Sequence, residues 1–150
     1  MRKMYHETIL TVRYVETDKF GIAHHSNHII WFEVARTSLL RDIGLPYSEM
    51  EAQGVSCPLL ETYCRYGHPA RFEDRLIVRT SIAEMSPVKI RFSYEIVEAE
   101  QGYTVACGQT LHAFVDAASG RPVRLNRFRP EMWGELVQRS RPYFAGIGGQ

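Results

Sequence analysis

Residues 14–36 read YVETDKFGIAHHSNHIIWFEVAR, and the periodicity of side chains changes inside them. Up to this stretch the repeat is two: Thr8, Leu10, Val12 and Tyr14 share one face and Ile9, Thr11 and Arg13 the other, which predicts a first strand over 8–14. Beyond it Ile29, Phe32, Ala35, Leu39 and Ile43 recur at steps of three and four, while Glu33, Arg36 and Arg41 lie off that stripe. This is the pattern of a helix of about four turns. Ser26 or Asn27 is placed to cap its start, and Gly44 followed by Leu45-Pro46 supplies its stop. Between strand and helix lie Asp18, a turn at Gly21, and the pair His24 and His25.

Outward from this segment the chain reads mostly as strand. Ser48 opens a short helical turn over 49–53, and strands are expected over 59–66, 76–83, 89–96 and 105–115. The clearest alternation sets Ile90, Phe92, Tyr94 and Ile96 against Lys89, Arg91, Ser93 and Glu95, so one face is buried and one is wet. A terminal helix over 130–139 begins at Pro130, and a flexible tail is expected over 140–150. One long helix after the first strand, then a run of antiparallel strands, implies an α+β layer in which about five strands curl around that helix. Ile30, Trp31, Val34 and Leu40 give the helix more apolar residues than one stripe needs. A homodimer, or a tetramer built from it, is expected to cover them.

Composition narrows the functions. With 150 residues, 45% of them hydrophobic, and a net charge of +1, residues 1–150 suit one domain with its core over about 5–137. The charges are scattered, with no basic field for nucleic acid. No apolar run approaches the roughly 20 residues that span a bilayer, and MRKMYHETIL has no apolar signal stretch, so no membrane partner and a cytoplasmic location are expected. Cys57, Cys64 and Cys107 are odd in number and lack C-x-x-C spacing, so they read as reduced thiols on or near strands. His24, His25 and His28 have spacings that could hold a metal with Asp18 or Glu33, but a helix start turns their ring nitrogens apart, so no metal or other cofactor is expected.

Asp18 and His25 flank a flexible turn, and the helix that follows offers unpaired backbone N–H groups to developing negative charge. The string Tyr14-x-x-Thr17-Asp18-x-x-Gly21-x-x-x-His25-x-Asn27, followed by Phe32-Glu33-x-Ala35-Arg36 and Gly44-Leu45, resembles the hotdog-fold acyl-CoA thioesterases of the 4-hydroxybenzoyl-CoA thioesterase and YbgC type. The resemblance runs over about 5–137. It implies a sheet wrapped round a central helix, a dimer joined sheet edge to sheet edge, sites at the subunit interface, Asp18 as the essential carboxylate, and Tyr14 and His25 as its associates.

Thioester hydrolysis is consistent with these residues. Asp18 could attack the carbonyl or deprotonate a water, and the backbone N–H groups of His24 and His25 could receive the oxyanion. Lys89 and Arg91, with Arg121 and Arg124, are candidate partners for the phosphates of CoA. Acyl carrier protein is the alternative carrier. Phe20 stands where relatives often have a second glycine, and His24 and His28 replace common aromatics, so a stiffer loop and a more polar pocket are expected. Plainer readings stand beside these: Asp18 as a turn residue, Tyr14 as a core aromatic, Glu33 ion-paired with Arg36, Glu61 as structural, and Lys89 and Arg91 as solvated. A hotdog hydratase or dehydratase would call for an His-Phe-Pro type string, which the chain lacks. A non-catalytic acyl-CoA-binding protein is the other alternative.

Overall fold

The computed structural model describes residues 4–144. In chain order they form β1 (His6–Thr11), a 3-10 turn (Tyr14–Glu16), α1 (Ser26–Asp42), α2 (Tyr47–Ala52), β2 (Val55–Ser56) and β3 (Leu59–Tyr66). Then come β4 (Arg75–Met85), β5 (Lys89–Glu98), β6 (Thr104–Ala113), β7 (Val115–Asp116), α3 (Leu125–Phe128), α4 (Pro130–Ser140) and a second 3-10 turn (Arg141–Tyr143). Five strands make one antiparallel sheet in the order β1-β4-β5-β6-β3. The expected α+β architecture, a five-stranded sheet around one long helix, is the one observed.

Alternation decides which face meets α1. Leu76, Val78 and Ile82 of β4 and Ile90, Phe92, Tyr94 and Ile96 of β5 are buried, as are Phe32, Ala35 and Leu39 on the facing stripe of α1. Phe32 stacks flat on Tyr94 with centroids 4.3 Å apart. That approach depends on Gly108 of β6, because a Cβ there would run into the Tyr63 carbonyl oxygen and lie 2.7 Å from Phe32 Cε2. At the far end of α1, Arg139 of α4 donates from Nη1 to the carbonyl oxygens of Ile43 and Gly44, at 3.3 and 3.2 Å, closing the helix's C-terminus.

Several boundaries differ from expectation, each for a local reason. β1 stops at Thr11 rather than at 14, because Glu16 N–H bonds the Arg13 carbonyl at 3.0 Å and the Glu16 carboxylate accepts the Arg13 N–H at 2.7 Å. This turn competes successfully with the strand. Tyr14 consequently leaves the sheet and is 77% exposed, so it is no core aromatic. The short pair β2–β7 and the single turn α3 were not expected, being too brief to show a period. Residues 140–144, expected to be flexible, instead complete α4 and the second 3-10 turn, and Phe144 bridges Ile82 of β4. Residues 145–150 of the expected tail lie outside the described residues.

The sheet has two distinct ends. β4 starts beside the Asp18 loop, where Val12 N–H bonds the Asp74 carbonyl and Ala23 N–H bonds the Ala70 carbonyl. It finishes about 33 Å away at the β4–β5 hairpin. β3 is an edge strand with Leu59, Leu60, Tyr63 and Tyr66 exposed, and next to it α1 exposes Ile29, Ile30 and Val34.

Candidate active site

The Asp18 loop is a small hairpin. Thr17 pairs with Ala23, Asp18 N–H bonds the Ile22 carbonyl at 3.0 Å, and Gly21 N–H returns to the Asp18 carbonyl at 3.0 Å. Gly21 takes φ = 77°, a left-handed conformation that a side chain would oppose. Asp18 Oδ1 accepts the Phe20 N–H at 2.8 Å, which fixes the carboxylate's orientation. Its second oxygen has no partner among the described residues.

A residue the sequence reading passed over holds this hairpin against α1. Glu16 is 3% exposed. Its carboxylate accepts the Arg13 N–H, Arg13 Nη2 at 3.2 Å and Trp31 Nε1 at 3.0 Å. Burial raises the carboxyl's pKa, but these donors outweigh that and leave it below the usual carboxylate range. The Glu16 carbonyl oxygen accepts the His24 N–H at 2.8 Å and Asn27 Nδ2 at 2.9 Å. Nothing in the local pattern marks this acid as buried, since its indole partner lies fifteen positions away on the helix.

This bracket corrects the oxyanion assignment. The His24 N–H, expected to be a free donor, is committed to Glu16. The His25 N–H has no acceptor among the described residues. The expected caps are also revised: His25 occupies the N-cap position with no side-chain cap bond, the Ser26 hydroxyl lies 2.8 Å from His24 Nδ1, and Asn27 donates backward to Glu16 and His24. In the first turn of α1 the Ser26 N–H is taken by His24 Nδ1 at 3.2 Å and the Asn27 N–H by the His24 carbonyl at 3.0 Å, which leaves the His25 N–H as the open donor at the helix start.

Aromatic rings shape the surroundings. The His24 and His25 rings lie 4.1 Å apart, and Tyr66, also missed by the sequence reading, donates its hydroxyl to the His25 carbonyl at 2.8 Å. His28 is buried, and burial lowers its pKa. Tyr14 packs edge-on against Phe72 at 5.6 Å. Within the described residues no hydrogen bond joins the Tyr14 hydroxyl or the His25 ring to Asp18, and no three His, Cys, Asp or Glu side chains converge on a metal-binding geometry. The three cysteines are free thiols.

The expected CoA-binding cations lie elsewhere in the chain. Lys89 Nζ is 3.3 Å from Glu84, and Arg91 is 3.3 Å from Glu84 and 3.6 Å from Glu61, so both are held in ion pairs near the hairpin end. Arg121 and Arg124 are exposed, and Arg124 precedes Leu125, whose N–H bonds the Pro87 carbonyl of that hairpin. None of the four is near Asp18 of the same chain. Arg71 is: it bridges Ile22, and its Nη1 lies 3.9 Å from where a Cβ on Gly21 would sit. Glu33 and Arg36 form the expected i, i+3 pair at 3.8 Å. A half-open cavity of about 820 Å³ lies against α1, with Val34, Arg36, Tyr47, Leu59, Phe92 and His112 in its wall. No helix among the described residues is long and apolar enough to cross a membrane.

Comparison with known proteins identifies the family and the fold. The family model described as thioesterase-like superfamily matches residues 12–133. YneP of Bacillus subtilis (strain 168), provisionally named an acyl-CoA thioesterase, is 30% identical over 132 residues, 88% of this chain and 94% of YneP. The acyl-CoA thioester hydrolase YbgC of Escherichia coli O157:H7 is 32% identical over 89 residues, 59% of this chain and 66% of YbgC. A crystal structure of a DHNA-CoA thioesterase from Staphylococcus aureus superposes with a TM-score of 0.84 at 30% identity, covering 89% of each chain. With its five-stranded antiparallel sheet, its central helix and these relatives, the chain belongs to the thioesterase-like superfamily and is a hotdog-fold thioester hydrolase.

Proposed function

We propose that the protein hydrolyses acyl-CoA thioesters, with the Asp18 carboxylate as nucleophile or general base and the His25 N–H as oxyanion donor. One observation carries this reading: a single hairpin presents a carboxylate oxygen and then delivers a helix start at the His25 N–H, neither of which has a partner among the described residues. A thioester carbonyl seated between them would meet an attacking or deprotonating oxygen on one side and an N–H on the other. The tetrahedral oxygen would also gain from the helix dipole. The His25 ring and the Tyr14 side chain are exposed, and their part would be to contact the bound thioester rather than to hold Asp18. CoA as carrier follows the names of YneP and YbgC.

The working unit is a homodimer in this reading. Pairing β3 antiparallel with the β3 of a second copy would cover Leu60 and Tyr63 and, by reversing the strand, bring one chain's hairpin end beside the other's Asp18 loop. Lys89, Arg91, Arg121 and Arg124 would then reach CoA phosphates across the interface, with Arg71 approaching from the loop's own chain. The single domain spans 1–150 and works in the cytoplasm.

The test is a panel of acyl-CoA thioesters assayed by free thiol release. Asp18→Asn keeps the shape of the side chain and removes its charge, and it is expected to lower kcat by about 100-fold or more. Equal turnover by Asp18→Asn and the natural chain would end the mechanism.

A further inference from the structure

The cavity against α1 has a polar wall built around Arg36. That side chain is only 17% exposed, and among the described residues its one charged partner is Glu33 Oε2 at 3.8 Å, on a side chain 67% exposed. The guanidinium is close enough to the Tyr94 hydroxyl, His112 and Cys57 for its charge to act on all three. From Tyr94 a chain of contacts runs on. Tyr94 Oη is 2.6 Å from Thr110 Oγ1, Thr110 Oγ1 is 3.0 Å from His112 Nε2, and His112 Nδ1 is 3.2 Å from the Cys57 carbonyl oxygen.

The protons in this chain can be assigned. Burial, reinforced by the Arg36 charge, pushes His112 down to about 4, so at neutral pH its ring carries one N–H. The Cys57 carbonyl can only accept, which puts that N–H on Nδ1 and leaves Nε2 to accept from the Thr110 hydroxyl. Thr110 then accepts from Tyr94, and the Tyr94 oxygen is free to accept from Arg36. Every donor points the same way, and each member between the ends is satisfied. A guanidinium has five N–H groups. This chain takes at most one of them and Glu33 approaches at long range, so among the described residues most of the fork stays uncommitted in the cavity wall. Thr8 Oγ1, which also lines the cavity, is buried without a partner among the described residues. A largely buried cation with uncommitted donors is costly unless an acceptor or anion meets it.

The cavity's position gives that acceptor a source. β3 runs from Leu59, in the cavity wall, to Tyr66, which bonds the His25 carbonyl, a span of about 23 Å. The antiparallel β3 pairing described above exchanges these ends, so one chain's thioester site faces its partner's cavity. We propose that this cavity takes the far end of the acyl group, and that Arg36 selects acyl groups carrying a carboxylate or phenolic hydroxyl there over hydrocarbon groups of the same length. This rests on the acyl-CoA thioesterase reading and names its substrate class.

Matched substrates test it: octanoyl-CoA against its ω-carboxylate analogue, and 2-naphthoyl-CoA against a hydroxy-2-naphthoyl-CoA. The natural chain should favour the oxygen-bearing member of at least one pair by about tenfold or more in kcat/KM, and Arg36→Met should reduce that ratio to within about twofold. The pair that responds tells carboxylate from phenol. Should Arg36→Met fail to fold, Arg36→Lys keeps the charge without the fork and should give a clearly reduced ratio. Equal rates within both pairs, or a ratio untouched by the substitutions, would overturn the assignment. Equilibrium binding of the same thioesters to Asp18→Asn, with and without Arg36→Met, reads the selection independently of turnover. If the natural chain hydrolyses nothing yet that binding preference exists and vanishes with Arg36, the catalytic reading fails and the acyl-end site stands.

Discussion

Asp18 is anchored through one oxygen and open at the other, so its reach toward substrate depends on where the hairpin sits. Glu16 sets that position through its carboxylate on Arg13 and Trp31 and its carbonyl on His24 and Asn27. Glu16→Gln preserves volume but turns an amide NH2 toward donors, losing an acceptor in a buried site. We expect kcat to fall about tenfold with KM near its original value, because the loop shifts while the binding walls remain. Steady-state kinetics on one acyl-CoA would decide this, and an unchanged kcat would remove Glu16 from the argument. Asp18 and His25 could be nominated from the sequence because their spacing around Gly21 resembles a known string. Glu16 and Tyr66 were not, since their roles exist only after α1 and β3 have packed against the loop. The His24 N–H was misread for the same reason: which N–H a helix start leaves free is settled by a carbonyl eight residues upstream.

At the level of elements, the alternation in β4 and β5 and the three-and-four spacing in α1 were readable because burial on one face leaves a period in the residue types. The end of β1 was lost to the turn made by Arg13 and Glu16, whose side-chain-to-backbone bond leaves no periodic trace. How closely α1 approaches the sheet was equally hidden in the sequence. Gly108 sets that approach: with no side chain, it lets Phe32 lie flat on Tyr94 next to the Tyr63 carbonyl. Gly108→Ala should push against a backbone atom and a ring that cannot both yield. A loss of about 3 kcal/mol, read from the urea midpoint, is expected. A midpoint within error of the natural chain's would show that the sheet can give way at this point.

For the whole molecule, the surplus of apolar residues on α1 already implied a covered second face, whereas the open edge at β3 became visible only in the strand order. Tyr63, near the middle of β3 and 59% exposed, lies close to where a two-fold axis would pass. Tyr63→Asp would set two like charges near one another there. Sedimentation at micromolar concentration should find a dimer for the natural chain and mostly monomer for the variant, with activity per chain falling as the variant is diluted. A natural chain that sediments as a monomer while fully active would sink the shared site. The two ends of α1 are also finished differently: Arg139 closes the C-terminus, while at the start His24 Nδ1 takes the Ser26 N–H and the His25 N–H stays open among the described residues. In the proposed reaction, an opening that takes an oxyanion would take equally the acid that hydrolysis leaves behind. Escape of that product would then belong to the catalytic cycle, and the like charge of Asp18 would be the force to expel it.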